Sequence, residues 1–396
     1  MYRTLITAVA LASSAWAVPY ADYPRHNRQT TNCTIASSYA PHNVTYLPDP
    51  FTFANGNKVA TLNDFACRQK EMQAIMEQYE LGTFPGPPDS LTATMSGDTM
   101  TVNVTVGSKS VNIVVTITKP SNTPGPAIIA VGGSSIPIPA TVGTIVFDND
   151  QWAQENDQSS RGVGDYYTLF GNTASAGATT AWAWGADRII DGLEKLGPAV
   201  TGINTTLLGT TGCSRDGKGA FMVGALCPRI ALTIPQESGS GGAACWRISD
   251  QQLAAGQTIQ TASEIVQENV WFSPNFNQWS TKVQDVPEDH HFLAGMIAPR
   301  GLFVIENNID WLGPVSTTGC MDAGRLIYKG VGVPDNMGFS LVGNHAHCAF
   351  PAVSQADLTM YINAFLLGGA TPGSVDVSNY TAPMATWAPW TVPMLS

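Results

Sequence analysis

Residues 212–218 read Gly-Cys-Ser-Arg-Asp-Gly-Lys, a turn of small residues that places Ser214 between two predicted elements. The segment 206–211 before it favours a strand, and the segment 217–226 after it favours a helix. Small residues around a serine at such a turn let the helix approach the strand, as a nucleophile elbow requires. The spacing is Gly-x-Ser-x-x-Gly instead of the commoner Gly-x-Ser-x-Gly. We interpret Ser214 as a candidate nucleophile.

Upstream of this turn, the hydrophobic pattern changes from a helical period to a strand period. Apolar residues recur at helical spacing within 66–80, which predicts a helix with a core-facing stripe. Segments 100–106 and 111–118 alternate apolar and polar residues, and the Gly-Ser-Lys at 107–109 between them predicts an antiparallel hairpin. The continuous apolar run 127–133 predicts a central strand covered on both faces.

Strands and helices alternate through the rest of the chain. Further strands are predicted at 143–147, 229–235, 301–306 and 337–342, and further helices at 179–196 and 355–367. A hairpin followed by this alternation predicts a three-layer α/β sandwich with a mostly parallel central sheet and an antiparallel N-terminal hairpin, which is the α/β-hydrolase fold. We see no internal repeat and no linker, so we expect residues 18–396 to form a single catalytic domain.

The N-terminus has the composition of a secretory signal peptide. Arg3 precedes the apolar stretch 5–12, and Ala-Trp-Ala ends at Ala17, where we expect cleavage. No later segment approaches the about 18 apolar residues that a membrane-spanning helix needs, so we expect no membrane partner. Glycosylation sequons support a secreted, extracellular protein; they begin at Asn32, Asn43, Asn103, Asn204 and Asn379.

Composition argues against several function classes. The net charge is −11 and there is no basic cluster, so nucleic acid is not an expected partner.

The seven cysteines suit an oxidising compartment. Their odd number predicts three bridges and one free thiol, for which we choose Cys227 because of its apolar context. There is no Cys-x-x-Cys pair. In Glu288-Asp-His-His, a structural contact between Asp289 and a histidine is the expectation instead of a metal site, and we expect no cofactor.

A general base is expected after the last core strand. Residues 343–350 offer His345 and His347, whose spacing places them on opposite sides of an extended segment. We prefer His347 because of its neighbour Cys348: a bridge from Cys348 to Cys213 would fix nucleophile and base together.

Three carboxylates compete for the role of the acid that orients the base. Glu237 comes just past the strand that follows the elbow helix, and Glu306 and Asp310 come past the next strand. Catalytic groups gather at the carboxyl ends of strands in open α/β sheets. Position alone favours Glu306 or Asp310.

Four stretches carry a more specific pattern: Gly-Cys-Ser-Arg-Asp-Gly-Lys-Gly-Ala-Phe at 212–221, Pro-Gln-Glu-Ser-Gly at 235–239, Asp-Trp-Leu-Gly at 310–313 and Gly-Asn-His-Ala-His-Cys-Ala-Phe-Pro at 343–351. Together they resemble the fungal glucuronoyl esterases of carbohydrate esterase family 15. The resemblance covers roughly residues 32–367, and the stretch around Ser214 is its specific part. It implies an α/β-hydrolase that cleaves the ester joining 4-O-methyl-glucuronic acid on xylan to lignin alcohols.

The resemblance also implies roles for the candidate catalytic residues. It assigns Ser214 as nucleophile, His347 as general base and Glu237 as the acid, against the positional preference. Some relatives carry the acid at the later position, so Glu306 and Asp310 stay open as alternatives.

Beyond the triad, the resemblance implies that Arg215 helps the backbone hold the oxyanion. The residues matching those that bind the uronate ring are Lys218, Gln260, Glu268 and Trp311. We expect Gln260 and Glu268 to share a helix face. The implied disulfides are Cys33–Cys67, Cys213–Cys348 and Cys245–Cys320.

Two other function classes compete with this interpretation. One is another secreted carbohydrate esterase of the acetyl-xylan or feruloyl type, which would need no subsite for a sugar acid. The other is a wall-binding protein on a hydrolase scaffold, in which Ser214 and His347 would be dispensable. We expect a monomer whose partner is the lignin–carbohydrate ester of glucuronoxylan.

Overall fold

The computed structural model describes residues 33–396. The predicted signal peptide and the sequon at Asn32 lie outside this range. The strands are β1 Ser90–Ser96, β2 Thr99–Val106, β3 Lys109–Thr118, β4 Gly125–Val131, β5 Gly143–Phe147, β6 Ile203–Cys213, β7 Ile230–Gln236, β8 Gly301–Glu306, β9 Met337–Leu341 and β10 Asp376–Val377. The helices are α1 Leu62–Met76, α2 Asn149–Trp152, α3 Asp165–Phe170, α4 Ala178–Leu196, α5 Pro198–Thr201, α6 Arg215–Leu226, α7 Trp246–Ala254, α8 Ala262–Glu268, α9 His291–Ile297, α10 Pro314–Gly330, α11 Gln355–Leu366 and α12 Met384–Trp387.

The ten strands form one sheet in the order β1-β2-β3-β5-β4-β6-β7-β8-β9-β10. Pairing is antiparallel from β1 to β5 across β2 and β3, and parallel from β5 to β10. The mostly parallel sheet with an antiparallel N-terminal part is therefore confirmed. The predicted hairpin is present as β2 and β3, and β1 adds a third antiparallel strand next to β2. Its sequence, Ser-Leu-Thr-Ala-Thr-Met-Ser, alternates polar residues with Leu91, Ala93 and Met95, which are partly buried against the core.

Helices cover both faces of the sheet, which makes the three predicted layers. Helices α4, α6, α9 and α10 pack together on one face, and α11 packs against β6, β7 and β8 on the other. Every residue of β4, β7, β8 and β9 is buried, as expected of parallel strands covered on both sides. The helices of the described residues are too short or too polar to traverse a bilayer.

The helix predicted at 66–80 is displaced toward the N-terminus. It begins at Leu62, where Thr61 and Asp64 form a capping box, and after Met76 the chain continues as a π-helical turn, Glu77–Leu81. The turn brings Glu80 into the interior, where its carboxylate accepts a hydrogen bond from Nε2 of His290 at 2.7 Å.

The segment 288–291 is structural, and the predicted hydrogen-bonded contact between Asp289 and a histidine is present. Asp289 accepts hydrogen bonds from Arg247 and from backbone N–H groups. The imidazole of His290 contacts Glu80, and that of His291 donates to the carbonyl of Pro48 at 2.8 Å. The contact between Asp289 and His290 is made through the backbone N–H of His290, and both imidazoles find partners on distant segments. Within residues 33–396, no cluster of three or more His, Cys, Asp or Glu side chains is arranged to hold a metal.

All three implied disulfides are present: Cys33–Cys67, Cys213–Cys348 and Cys245–Cys320. The free thiol is Cys227, as predicted from its apolar neighbours. It is buried, with Sγ 3.1 Å from the carbonyl oxygen of Ala183 on α4.

Candidate active site

Ser214 occupies the turn between β6 and α6 in a conformation that few non-glycine residues adopt. Its φ is 60° and its ψ is −123°, and its backbone N–H donates to the carbonyl of Gln236 at 2.9 Å. The strand–turn–helix context that the sequence predicted is therefore present. A serine held in this strained conformation projects from the end of the sheet, as a nucleophile elbow requires.

Three glycines make room for the elbow. A Cβ on Gly212 would lie 2.3 Å from the carbonyl oxygen of Asp216, and one on Gly217 would lie 2.4 Å from that of Gln236. At the end of β4, a Cβ on Gly132 would lie 2.3 Å from Oδ2 of Asp216. Since real Cβ atoms do not approach this closely, the helix meets the strands only because these side chains are absent.

Glu237 and His347 form the central contact of the site. Nδ1 of His347 donates to Oε2 of Glu237 at 2.7 Å, and the backbone N–H of Cys348 donates to the same oxygen at 2.9 Å. Burial opposes ionisation of Glu237, but the hydrogen bonds from His347, Cys348, Gln236 and Asn307 outweigh it and lower the pKa of the carboxyl. Glu237 is thus an ionised acceptor that fixes one tautomer of the imidazole.

The second ring nitrogen of His347 is left with a lone pair. Because Nδ1 carries the proton that Glu237 accepts, Nε2 is an acceptor; it is buried and has no hydrogen-bond partner among the described residues. The ring of Trp311 stands edge-on to the imidazole, with centroids 5.0 Å apart. Glu237 and Trp311 therefore fix the orientation of the imidazole, and Nε2 keeps a lone pair that can accept a proton.

The disulfide Cys213–Cys348 connects the elbow to the histidine loop. Cys213 directly precedes Ser214 and Cys348 directly follows His347, and their Cα atoms lie 5.8 Å apart. The serine and the histidine are therefore carried on segments that a covalent bond holds together.

His345 is fixed differently from His347. Its Nε2 donates to the carbonyl of Val342 at 2.7 Å, and its Nδ1 lies 3.7 Å from Oε1 of Glu237 and 3.2 Å from the Asn307 amide. The imidazole is thus held within its own loop. The short contact to the carboxylate belongs to His347.

Glu306, one of the alternative acids, is buried in another environment. Its Oε1 accepts hydrogen bonds from the backbone N–H and the hydroxyl of Ser238, each at 2.9 Å, and from the N–H of Gly239 at 3.1 Å. Burial raises its pKa to about 7 despite these donors. Its hydrogen bonds hold the loop after Glu237, and none reaches His347.

Asp310, the other alternative, is exposed at the start of a short 3₁₀ turn, Asp310–Leu312. In the structure, the carboxylate that accepts the hydrogen bond from His347 is therefore that of Glu237. The reason lies in Glu237 itself, whose φ of 46° turns the chain at the end of β7 and directs the carboxylate toward the histidine loop.

Two cations flank one face of the site. Lys218 is buried on the first turn of α6, and its Nζ donates to the carbonyl of Ser238 at 2.7 Å. Burial lowers its pKa to about 8, against the opposing effect of Glu306 and Glu268. Arg215 is more open, with a side chain 45% exposed, and its Nη1 lies 3.3 Å from Oε1 of Glu155.

Gln260 and Glu268 are in contact, although the predicted reason is wrong. They do not share a helix face, because Gln260 lies two residues before the start of α8 and Glu268 is the last residue of that helix. The short helix folds the chain back so that Nε2 of Gln260 donates to Oε2 of Glu268 at 2.8 Å. The N–H of Gln260 also donates to the carbonyl of Trp311 at 3.3 Å, which links this pair to the ring beside His347.

Sequence reasoning missed a group of residues beside Arg215: Glu155, Asn269 and Trp271. Glu155 lies in the polar stretch Gln-Glu-Asn-Asp, which predicts an ordinary solvated loop. Trp271 could have been noticed only as an aromatic residue close in sequence to Glu268. Their contacts cross more than a hundred positions of the chain, and no local pattern signals them.

A sheet of this topology, a strained serine after β6, and a histidine bound to a carboxylate in the order Ser–Glu–His define an α/β-hydrolase. The sequence profile of a family described as "Glucuronyl esterase, fungi" matches residues 102–332. The 4-O-methyl-glucuronoyl methylesterase of Thermothelomyces thermophilus is 57% identical over 387 residues, which are 98% of this chain and 97% of that protein. The chain belongs to the fungal glucuronyl esterase family.

Solved structures agree with this membership. A mutant glucuronoyl esterase from Sporotrichum thermophile, in complex with methyl 4-O-methyl-β-D-glucopyranuronate, superposes with a TM-score of 0.91 at 58% identity, covering 92% of this chain and all of that one. A glucuronoyl esterase of carbohydrate esterase family 15 from Caldicellulosiruptor kristjansonii has a TM-score of 0.75 at 28% identity, over 90% of this chain and 98% of that one.

Proposed function

We propose that this protein hydrolyses the ester between (4-O-methyl-)glucuronic acid of glucuronoxylan and a lignin alcohol, through an acyl-enzyme on Ser214. The observation that carries the proposal is the 2.7 Å hydrogen bond from Nδ1 of His347 to Glu237, which leaves a buried, unpartnered Nε2 on a loop bonded to the elbow. The names of its relatives and the ester bound in one of the solved structures support the substrate class.

In the first half of the reaction, Nε2 of His347 takes the proton of the Ser214 hydroxyl as its oxygen attacks the ester carbonyl. Glu237 stabilises the imidazolium that forms and stays ionised. The imidazolium then gives the proton to the departing alcohol oxygen. In the second half, His347 takes a proton from water, whose oxygen attacks the acyl-enzyme, and returns it to Ser214 as the uronic acid leaves.

The oxyanion that forms in both halves needs donors and positive charge. In this fold the N–H of the residue after the nucleophile supplies one donor, which here is Arg215 at the N-terminus of α6. The Arg215 guanidinium adds a permanent positive charge beside the same point. One such donor is typically worth about 3–4 kcal/mol in the transition state.

The sugar acid forms the acyl side of the ester, so the protein must hold its ring while the carbonyl reacts. Lys218, one turn after Ser214, is placed to donate to the ring. Gln260 and Glu268, already in contact, supply a donor and an acceptor, and Trp311 supplies an apolar wall next to His347. An esterase whose acyl group is acetate or ferulate has no need of this polar group of side chains.

The proposals on secretion, domain organisation, oligomeric state and cofactor rest on the sequence. We propose that residues 1–17 direct secretion and are removed, and that residues 18–396 act outside the cell as a single-domain monomer, with no bound cofactor. Three disulfides among the described residues fit an oxidising compartment.

Alcohol release from benzyl glucuronate, measured beside hydrolysis of p-nitrophenyl acetate, tests the proposal. We expect fast cleavage of the glucuronate and little of the acetate, with Ser214→Ala folded but inactive on both. Preference for the acetate would move the protein to the acetyl esterases and remove the roles given to Lys218, Gln260, Glu268 and Trp311. Hydrolysis retained by Ser214→Ala would rule out the serine mechanism.

A further inference from the structure

Glu155 lies in the loop after α2 and reaches the side of the site that carries Arg215. Its side chain is 6% exposed. Oε2 accepts a hydrogen bond from Nε1 of Trp271 at 2.6 Å, and Oε1 lies 3.3 Å from Nη1 of Arg215. One buried carboxylate therefore binds an indole and a guanidinium at the same time.

Hydrogen bonds made by the backbone groups of Glu155 fix the position of this residue. Its carbonyl accepts a hydrogen bond from Nδ2 of Asn269 at 2.6 Å, and its N–H donates to Oδ1 of Asp150 at 3.1 Å. Asn269 caps the C-terminus of α8, directly after Glu268. The carboxylate is thus built into the junction between the loop after α2 and the end of α8.

Trp271 extends this arrangement to both cations of the site. The guanidinium carbon of Arg215 lies 5.8 Å from the centroid of the indole, and Nζ of Lys218 lies 5.2 Å from it. Cations at this distance from an indole face are attracted to it. Since the indole N–H is bound to Glu155, the ring that the two cations contact has a single orientation.

We propose that Glu155 is a positioning residue for the reaction, which holds Arg215 and the Trp271 ring beside Ser214 so that the positive charge is in place before the oxyanion forms. The inference rests on the role proposed for Arg215. The Arg215 side chain is 45% exposed and, without a buried anion, would exchange among solvated rotamers. A donor that is already oriented stabilises a transition state without reorganising during the reaction.

The ion pair depends on the charge of Glu155. Burial raises the pKa of this carboxyl to about 6, with the Trp271 indole and Arg215 opposing the effect. The charged groups that face it are Arg215, Asp216 and Lys218 from α6 and Asp150 from α2. Glu155 therefore holds Arg215 as a carboxylate above about pH 6, and this ion pair is lost below that pH.

The test compares Glu155→Gln, Arg215→Met and the double variant on benzyl glucuronate from pH 4.5 to 8. At pH 7.5 we expect Glu155→Gln to lower kcat about tenfold with little change in KM, as for loss of a hydrogen bond to a charged group. The double variant should be no slower than Arg215→Met, because Glu155 acts through that residue. The ratio of wild type to Glu155→Gln should fall toward one below pH 5, which a purely structural role would not produce.

Asp157→Asn provides the matched control, because Asp157 is an exposed acid two residues away whose side chain accepts hydrogen bonds within its own turn. It should behave as wild type at every pH. If Glu155→Gln does not fold, Trp271→Phe, which keeps a ring but removes the indole donor, should lower kcat severalfold by releasing the carboxylate.

Three outcomes overturn the inference: full activity in Glu155→Gln, full activity in Trp271→Phe, or a wild-type to Glu155→Gln ratio that does not change with pH. If Arg215→Met is fully active, the role proposed for Arg215 fails first. If Arg215→Met is impaired and Glu155→Gln is not, Arg215 keeps its role and the inference about Glu155 fails alone.

Discussion

Cys213 and Cys348 are 135 positions apart in the chain and covalently joined, and each is adjacent to a residue of the proposed reaction centre. Their strand and loop are not neighbours in the sheet, because β7 and β8 lie between β6 and β9. The bond therefore crosses the end of the sheet beside Glu237, which follows β7 and accepts a hydrogen bond from the backbone N–H of Cys348. The disulfide thus holds the histidine loop to the elbow covalently, and the hydrogen bond from His347 to Glu237 holds the same loop to the end of β7 by a weaker contact.

Removing this disulfide by Cys213→Ala together with Cys348→Ala should slow the reaction as well as destabilise the fold. We expect the free energy of unfolding to fall by about 2–5 kcal/mol. The value of kcat should also fall, because the histidine loop is then held by hydrogen bonds alone. Chemical denaturation and kinetics on benzyl glucuronate measure the two effects. Cys33→Ala with Cys67→Ala is the matched control, and it should lose stability while kcat is retained.

Replacing Glu237 with Gln should cost about three to four orders of magnitude in kcat, as when the carboxylate that fixes a catalytic histidine becomes an amide. Glu306→Gln should stay close to wild type, because Glu306 bonds to Ser238 and Gly239 and the amide oxygen can still accept from them. The two variants are compared by kcat, with circular dichroism as the check on folding. The opposite order of activities would assign the acid to Glu306.

Affinity for the sugar ester should weaken as the pH rises above about 8. Burial lowers the pKa of Lys218 to about 8, so its ammonium is complete at neutral pH and is lost as the pH passes that value. We expect KM for benzyl glucuronate to rise between pH 7 and pH 9. Lys218→Met should have a high KM that is flat over the same range. A wild-type KM that does not change with pH would mean that the charge of Lys218 does not contribute to binding.

Gly132→Ala should impair the elbow through a single methyl group. Its Cβ would meet Oδ2 of Asp216 at 2.3 Å, and the residue has a φ of +65°. The combined strain and clash should cost about 1–3 kcal/mol of stability and lower kcat by displacing the start of α6. Gly107→Ala separates the two causes, because Gly107 has a φ of +59° and its Cβ would meet nothing within 4 Å. It should show the smaller loss of stability and no loss of kcat.

Most of the architecture could be predicted from local patterns. Apolar runs such as 127–131 and 301–306 are strands buried on both faces, and the small residues around Ser214 mark the elbow. The edge strand β1 was not predicted, although Leu91, Ala93 and Met95 alternate with polar residues along it. Its apolar side chains are only partly buried, but their period of two is the ordinary sequence signal of a strand.

The site was predictable only where its residues lie at the ends of predicted elements. Ser214, Glu237 and His347 each follow a core strand, and this position made them candidates. The sequence left the choice among carboxylates open, because the hydrogen bond to His347 depends on the backbone turn at Glu237. Glu155 was missed, because the role proposed for it depends on contacts with Arg215 and Trp271, which come from distant parts of the chain.

Cys227 has a consequence for how the protein tolerates heat. Its thiol is enclosed between α4 and α6, and burial raises its pKa well above the usual value, so the thiolate that attacks disulfides is scarce in the folded molecule. The other six cysteines are paired. Scrambling of the bridges therefore has no starting point until those helices separate. We expect brief heating below that point to leave the disulfides intact. Heating beyond it should let the Cys227 thiol exchange with the three disulfides and make inactivation irreversible.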